Sequence, residues 1–272
     1  MGIGAAVFNP PPRAMISATA PVTYCVDDAL GCRQNRTAFA PGRGLALDAA
    51  YRLAHLPLIA PGHPAVIRRR AASPQAIAYD MGRHDTVHSL VLPLPEDALA
   101  ASPAFRELEA TLRTAPFAAK IDWPLLARRR GRLHATLCGT LAIGSAPALA
   151  EATRRALAGS GPLHVELRGL FSGNVNVGRL YLRVYPECRG ATNAIHAIQR
   201  ALGRRTTDLY LVGLYNLRDD LDAAEAAALA ALLEAWWDRA LLRFAADELW
   251  LLGARDDLVL DGEVGARIAL SG

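Results

Sequence analysis

The run Arg128-Arg-Arg-Gly-Arg132-Leu-His134-Ala-Thr136-Leu-Cys138-Gly-Thr-Leu141 decides how the rest of the chain is read. Its second half has the alternation of a strand. Leu133, Ala135 and Leu137 are expected on one face, and His134, Thr136 and Cys138 on the other. A histidine and a threonine two apart on one strand face can both hydrogen-bond one small anion. The imidazole also exchanges a proton near neutral pH, since an unperturbed histidine titrates at about 6.5. An H-x-T tripeptide is short, and an ordinary polar strand face would carry it equally well. The elements on either side give it weight.

Upstream, Arg128–Arg132 is a basic approach and 117–123 is extended or irregular. A helix with Phe105, Leu108 and Leu112 on one face opens at Ser102-Pro103, an N-cap followed by proline at the first helical position. Before it, residues 87–94 read as a strand ended by Pro93 and Pro95. Downstream, 147–157 reads as a helix closed by Gly159-Ser-Gly161. Residues 163–171 and 179–185 form a hairpin about a Gly/Asn-rich turn. A helix over 192–202 follows, with Ile195, Ile198 and Leu202 inward, then a strand over 209–217 and a long helix from 219–222 through Leu229, Leu232, Leu233 and Trp236. Two last strands, 242–252 and 258–270, complete an order of β-α-β-α-β-β-α-β-α-β-β. It divides into two similar halves, each leading a helix into a central apolar strand.

Residues 1–84 are punctuated by proline and glycine (Pro10-Pro11-Pro12, Pro41-Gly42, Pro61-Gly62) and read as an irregular extension, partly packed on a domain spanning 85–272. Residues 45–56 are a candidate short helix there, and Arg68-Arg69-Arg70 a solvated basic knot. The apolar stretches are far shorter than the roughly 20 residues of a membrane helix, so no membrane association is expected. A net charge of +4 permits a phosphate-bearing ligand without defining a nucleic-acid surface. The four cysteines, Cys25, Cys32, Cys138 and Cys188, lack metal-ligand spacing, and no metal or cofactor is expected. Cys25 and Cys32 could pair, but nothing in the opening residues points to export, so reduced thiols in the cytoplasm are expected.

The motif Arg132-Leu-His134-Ala-Thr136-Leu137, the element order from about Val87 to Leu270 and the ending Phe244-Ala-Ala-Asp-Glu-Leu-Trp-Leu-Leu-Gly253 together resemble the 2H phosphoesterase superfamily of LigT-like 2'-5' RNA ligases and cyclic phosphodiesterases. The resemblance implies an α/β (α+β) fold, bilobed, with antiparallel sheets flanked by helices and pseudo-twofold lobes. It implies two H-x-T/S motifs facing across a cleft, one imidazole acting as base and the other as acid on a 2',3'-cyclic phosphate or 2'-5' linkage. The partner implied is a nucleotide or RNA terminus bearing a phosphate, and no metal is implied.

The second motif is degenerate. Aligned on its flanking leucines, the strand Asp208-Leu-Tyr210-Leu-Val212-Gly-Leu-Tyr215-Asn216 puts Tyr210 where the second histidine would stand and Val212 where the second hydroxyl would stand. Val212 cannot bond phosphate. Tyr210, with an ordinary pKa near 10, can donate a hydrogen bond but is a poor base at neutral pH. The candidate catalytic set is therefore His134, Thr136 and Tyr210. Arg132 and His88 are candidate substrate-binding groups, the latter as a replacement imidazole from the opening strand. Tyr210 reads equally as a packing tyrosine and Arg132 as a solvated arginine, while Arg179 and Tyr181 share one hairpin face that could touch a base or sugar but reads as hairpin surface. Gly173-Asn-Val-Asn-Val-Gly178 is turn chemistry, not a phosphate loop. Of Trp236 and Trp237, one is expected in the core and the other at an edge. Three functions remain open: a 2H-type phosphoesterase, a non-catalytic binder of a nucleotide or RNA end, and a protein-interaction module.

Overall fold

A computed structural model describes residues 21–271. Two short helices, α1 (Ala49–Ala54) and α2 (Leu56–Ile59), precede a two-residue pairing of β1 (Arg69–Arg70) with β2 (Tyr79–Asp80). There follow β3 (Arg83–Pro93), α3 (Glu96–Ala101), α4 (Pro103–Arg113), α5 (Pro124–Arg128), β4 (His134–Ile143) and α6 (Glu151–Ala158). The chain continues through β5 (Leu163–Ser172), β6 (Arg179–Pro186), β7 (Cys188–Arg189), β8 (Thr192–Asn193) and α7 (Ala194–Ala201). It ends with β9 (Leu211–Asn216), α8 (Ala223–Trp236), β10 (Ala240–Ala246), β11 (Glu248–Asp256) and β12 (Gly262–Ala269).

Local chemistry explains where the helices begin. Ser102 accepts a hydrogen bond from the Phe105 amide, and Pro103 opens α4, whose Phe105, Leu108 and Leu112 are buried. Asp222 and Glu225 form a reciprocal capping box at the start of α8. The helix expected over 147–157 begins only at Glu151.

The large sheet is antiparallel throughout and has ten strands, two four-stranded sets, β12-β11-β3-β4 and β9-β6-β5-β10, with the short β1 and β2 added beside the start of β3. They join where Ala135 of β4 pairs with Val212 of β9. In each set the chain leaves the second strand from the junction, β3 or β6, passes through helix and returns on the junction strand. The two halves are thus built alike, in a mixed α/β fold with helices flanking antiparallel strands.

The end of the chain differs from the expected pair of strands. The apolar run around Leu242–Leu252 is two strands that part at Asp247. The first, β10, extends the second half by pairing with β5, while β11 crosses to lie between β3 and β12. The Asp247 carbonyl, outside both strands, accepts from the Leu270 amide at 2.6 Å. A second difference lies within β4. A register shift against β3 between Thr136 and Cys138 places Leu137 and Cys138 both in the buried interior. Cys138 therefore leaves the face that holds His134 and Thr136, as a bulge reverses the alternation beyond it.

Residues from the opening segment enter the same core as the rest. Leu30, Leu45, Leu47, Tyr51 and Leu56 pack with strand and helix residues of both halves, and Leu45 bridges to Leu221. Arg68, Arg69 and Arg70 are exposed. Both Trp236 and Trp237 are buried, so neither is an edge residue.

Gly169 fixes how α8 closes on the sheet. It sits at a register shift in β5 with φ +24°, and a Cβ there would fall 1.8 Å from the Trp236 carbonyl oxygen. Its amide donates to the Arg239 carbonyl at 2.9 Å, so the bulge and the end of α8 are fastened together. Gly169→Ala is expected to lower stability by about 1–3 kcal/mol through forced displacement of backbone. Urea unfolding would show this as a lower midpoint at unchanged slope.

Candidate functional site

A cleft of about 250 Å³ opens on the face of β3, β4 and β11, under the turn that joins β11 to β12. Leu252 and Val259 give it apolar lining and belong, with Val91 and Trp250, to a small cluster on the sheet face opposite the main core. His134 and Thr136 line it from β4, Ser89 from β3, Arg179 from the start of β6 and His55 from the end of α1. Wider depressions of about 470 and 530 Å³ lie elsewhere on the surface. In the latter, Arg33 and Arg36 are already paired with Asp27 and Glu234.

His134 is half-buried, and its Nδ1 lies 2.7 Å from the Arg132 carbonyl oxygen. A carbonyl can only accept, so Nδ1 carries the hydrogen and Nε2 keeps a lone pair. Burial, assisted by the positive charges of Arg129 and Arg179, lowers the His134 pKa to about 4. The imidazole is therefore neutral at pH 7.

Arg179 lines the cleft, and the fully buried Arg129, outside the lining, adds its positive charge to the surroundings of His134. Arg129 is fully buried, donates from Nη1 to the Gly213 carbonyl at 2.8 Å, and leaves Nε unpartnered. Arg179 donates from Nη1 to the Asp257 carbonyl at 3.1 Å, and its buried Nε is also unpartnered. Neither forms an ion pair with a carboxylate among the described residues. The Arg179 guanidinium lies directly over Gly213, where an added Cβ would come within 2.0 Å of it. Glycine at this position of β9 is what lets the charge settle on the junction strand.

The acidic residues at the rim are occupied by other donors. The buried Asp256 accepts from the amides of Leu258, Leu260 and Asp261. Asp257 accepts from His84 Nε2 at 3.2 Å and from the Tyr79 hydroxyl at 3.0 Å. Burial opposes its charge, yet His84 and Tyr79 hold its pKa at about 2. His84 also places Nδ1 2.7 Å from the Asp85 carbonyl. Burial would lower the His84 pKa, but the Asp257 carboxylate and this carbonyl outweigh it and raise it. Both His84 nitrogens are thus committed, the ring being an imidazolium ion-paired to Asp257. His55 is fully buried with neither ring nitrogen partnered, and burial followed by Arg179 pushes it down to about 3.

Of the residues singled out from sequence, His134 and Thr136 come together in the cleft, and the other three do not join them. Val212 pairs with the buried Ala135, so Val212 and Tyr210 share the core-facing side of β9. The Tyr210 hydroxyl donates to the Thr207 carbonyl and accepts from Asn193 Nδ2 at 3.2 Å. It is a packing tyrosine, and the residues β9 turns to the cleft side are Leu211 and Gly213. His88 alternates away from Ser89, is buried, and donates from Nε2 to the Gly144 carbonyl at 3.0 Å. Arg132 donates to the Val259 and Leu260 carbonyls at 3.1 and 2.7 Å, so its charge fastens the turn at the rim. Val259 in that turn has φ +57°, a conformation β-branched residues rarely adopt and one that this bonding holds.

Arg129 and Arg179 were the groups missed. Parity placed Arg179 and Tyr181 on one hairpin face, and the signal that would have turned that face inward is the small residue Gly213 on the neighbouring strand. Among the described residues, no group of three or more His, Cys, Asp or Glu is placed to share a metal ion, and no helix is long and apolar enough to cross a membrane. No protein-family model matches the chain, and no curated protein matches it in sequence.

This geometry defines a pH response. His134 binds a proton less readily in the folded chain than in the unfolded one, so its contribution to stability is complete above pH 6.5 and is lost as pH falls towards 4. A bound dianion would favour the imidazolium and raise the His134 pKa by about one unit or more. Sulfate, a dianion across this range, is expected to shift the NMR titration midpoint of His134 upward and to bind more tightly as pH falls from 7 to 5. Arg179→Ala should remove the shift. An unmoved midpoint at saturating sulfate would contradict the assignment of the cleft as an anion site.

Proposed function

We propose that the cleft binds the phosphate of a nucleotide or RNA terminus, and that the chain acts there as a slow 2H-type phosphoesterase on a 2',3'-cyclic phosphate or 2'-5' linkage. The observation that carries this reading is the pairing of two guanidinium groups lacking carboxylate partners with an imidazole whose Nε2 lone pair is free. Buried positive charge without a counter-ion is costly, and a phosphate supplies the missing partner.

In hydrolysis of a cyclic phosphate, a water oxygen attacks phosphorus while His134 Nε2 takes the water proton. The bond from phosphorus to the leaving ribose oxygen breaks, and the imidazolium returns the proton to that oxygen. Arg179 and Thr136 hold the non-bridging oxygens as charge develops on them. At a pKa of about 4 the unliganded imidazole is a weak base, and the bound phosphate strengthens it. One imidazole does the work of an acid–base pair. Since each member of such a pair contributes about 10²–10⁴-fold, turnover should be slow.

The commitment of His84 to Asp257, and of His88 and Tyr210 to groups outside the cleft, favours a second reading in which the same site binds without turnover. Hydrolysis of an oligonucleotide ending in a 2',3'-cyclic phosphate separates the two. Wild type should turn over slowly, His134→Ala should lose about 10²-fold or more, and Arg179→Ala should lower kcat as well as raise KM. Thermal stabilisation by a nucleoside 3'-monophosphate, lost in Arg179→Ala and unaccompanied by hydrolysis, would select the binding reading. Neither turnover nor stabilisation would eliminate both.

A further inference from the structure

An antiparallel bridge, Tyr24 to Glu187, joins the opening segment to the residue that follows β6. The Cys25 amide donates to the Pro186 carbonyl at 2.9 Å, and the Cys188 amide to the Thr23 carbonyl at 2.7 Å, so the register is fixed on both sides of the bridge. Cys25 therefore lies opposite Pro186, and Cys188, two residues further on, shares the same face as its diagonal neighbour. The two sulfur atoms are 2.8 Å apart, against about 2.05 Å in a formed disulfide. Cys32, the nearer cysteine in sequence, is buried beside Arg183 instead.

We propose that Cys25 and Cys188 are a dithiol pair that closes to an intramolecular disulfide, a covalent modification site joining the opening segment to the end of β6. The bond would lock in place the segment that carries Asp27, whose carboxylate holds Arg183 at 3.3 Å and the Trp237 indole at 2.6 Å. Cys188 is half-buried and Cys25 almost wholly buried, which orders the chemistry. With a low-molecular-weight disulfide as oxidant, the accessible Cys188 thiolate attacks one of its sulfurs and expels one thiolate. Cys25, deprotonated, then attacks the Cys188 sulfur of the mixed disulfide and expels the second. Two electrons pass from the protein thiols to the oxidant, and their two protons end on the two small thiols released. In the reduced pair, burial and the neighbouring Cys188 sulfur raise the Cys25 pKa.

The full chain should be incubated with increasing ratios of oxidised to reduced glutathione, quenched with acid, unfolded and its thiols counted. The count should fall from four to two and return with dithiothreitol. Peptide mapping of the oxidised wild type without reduction should yield a Cys25–Cys188 link, a result that needs no variant to fold. Cys188→Ser should abolish the link, and Cys32→Ser and Cys138→Ser should keep it. Retention of four thiols in excess oxidant would overturn the proposal. So would a link between another pair, or a glutathione adduct on Cys188 that Cys25 never displaces. None of these outcomes depends on what the cleft binds.

Discussion

Two guanidinium groups lie together at the junction of the sheet's two halves with no carboxylate against them, and the site follows from that arrangement. Arg129 is withdrawn from solvent beneath β9 and tied to the Gly213 carbonyl, while Arg179 lies over the same glycine. Burial, followed by the positive charge of the arginines, depresses both His134 and His55, so the imidazoles stay neutral where the arginines stay charged. The carboxylates that could have neutralised the cluster are occupied by backbone amides, Tyr79 and His84. The positive field is therefore available to a ligand.

The architecture makes this possible by bringing its halves together at one strand pair. β4 contributes the imidazole and hydroxyl, β9 a bare backbone, and β6 the arginine that spans the gap left by the absent side chain. The turn after β11 closes one side, braced by Asp256 from within and by Arg132 from β4. The opening segment is also part of the site, since α1 delivers His55 to it and buries Tyr51 in the common core. An irregular stretch by sequence is thus a wall of the cleft.

The alternation of His134 and Thr136 against Leu133 and Ala135, the cap at Ser102, the start of α8 near Asp222, and the helical faces of α4, α7 and α8 were legible because each depends on neighbours within a few residues. So was the β-rich order with its two similar halves. The failures share a cause. Tyr210 and Val212 were assigned to the second motif by aligning apolar flanks, and His88 to the cleft from its place on the opening strand, but which face of a strand is inward depends on its partner's register. The pairing of Ala135 with Val212 reverses the assumed face of β9. The bulge beyond Thr136 likewise turns Cys138 inward, and the break at Asp247 sends β10 and β11 to opposite halves.

By itself, then, the sequence determined the elements, their order and one half of the cleft lining, His134 and Thr136 on one strand face, since these rest on periodicity and side-chain chemistry. Only the tertiary structure decided that Arg179 would join that lining, that Cys25 would meet Cys188, and that His55 would face the same cleft. Those outcomes join residues far apart in the chain, and strand register, bulges and the missing Cβ of Gly213 set them through space.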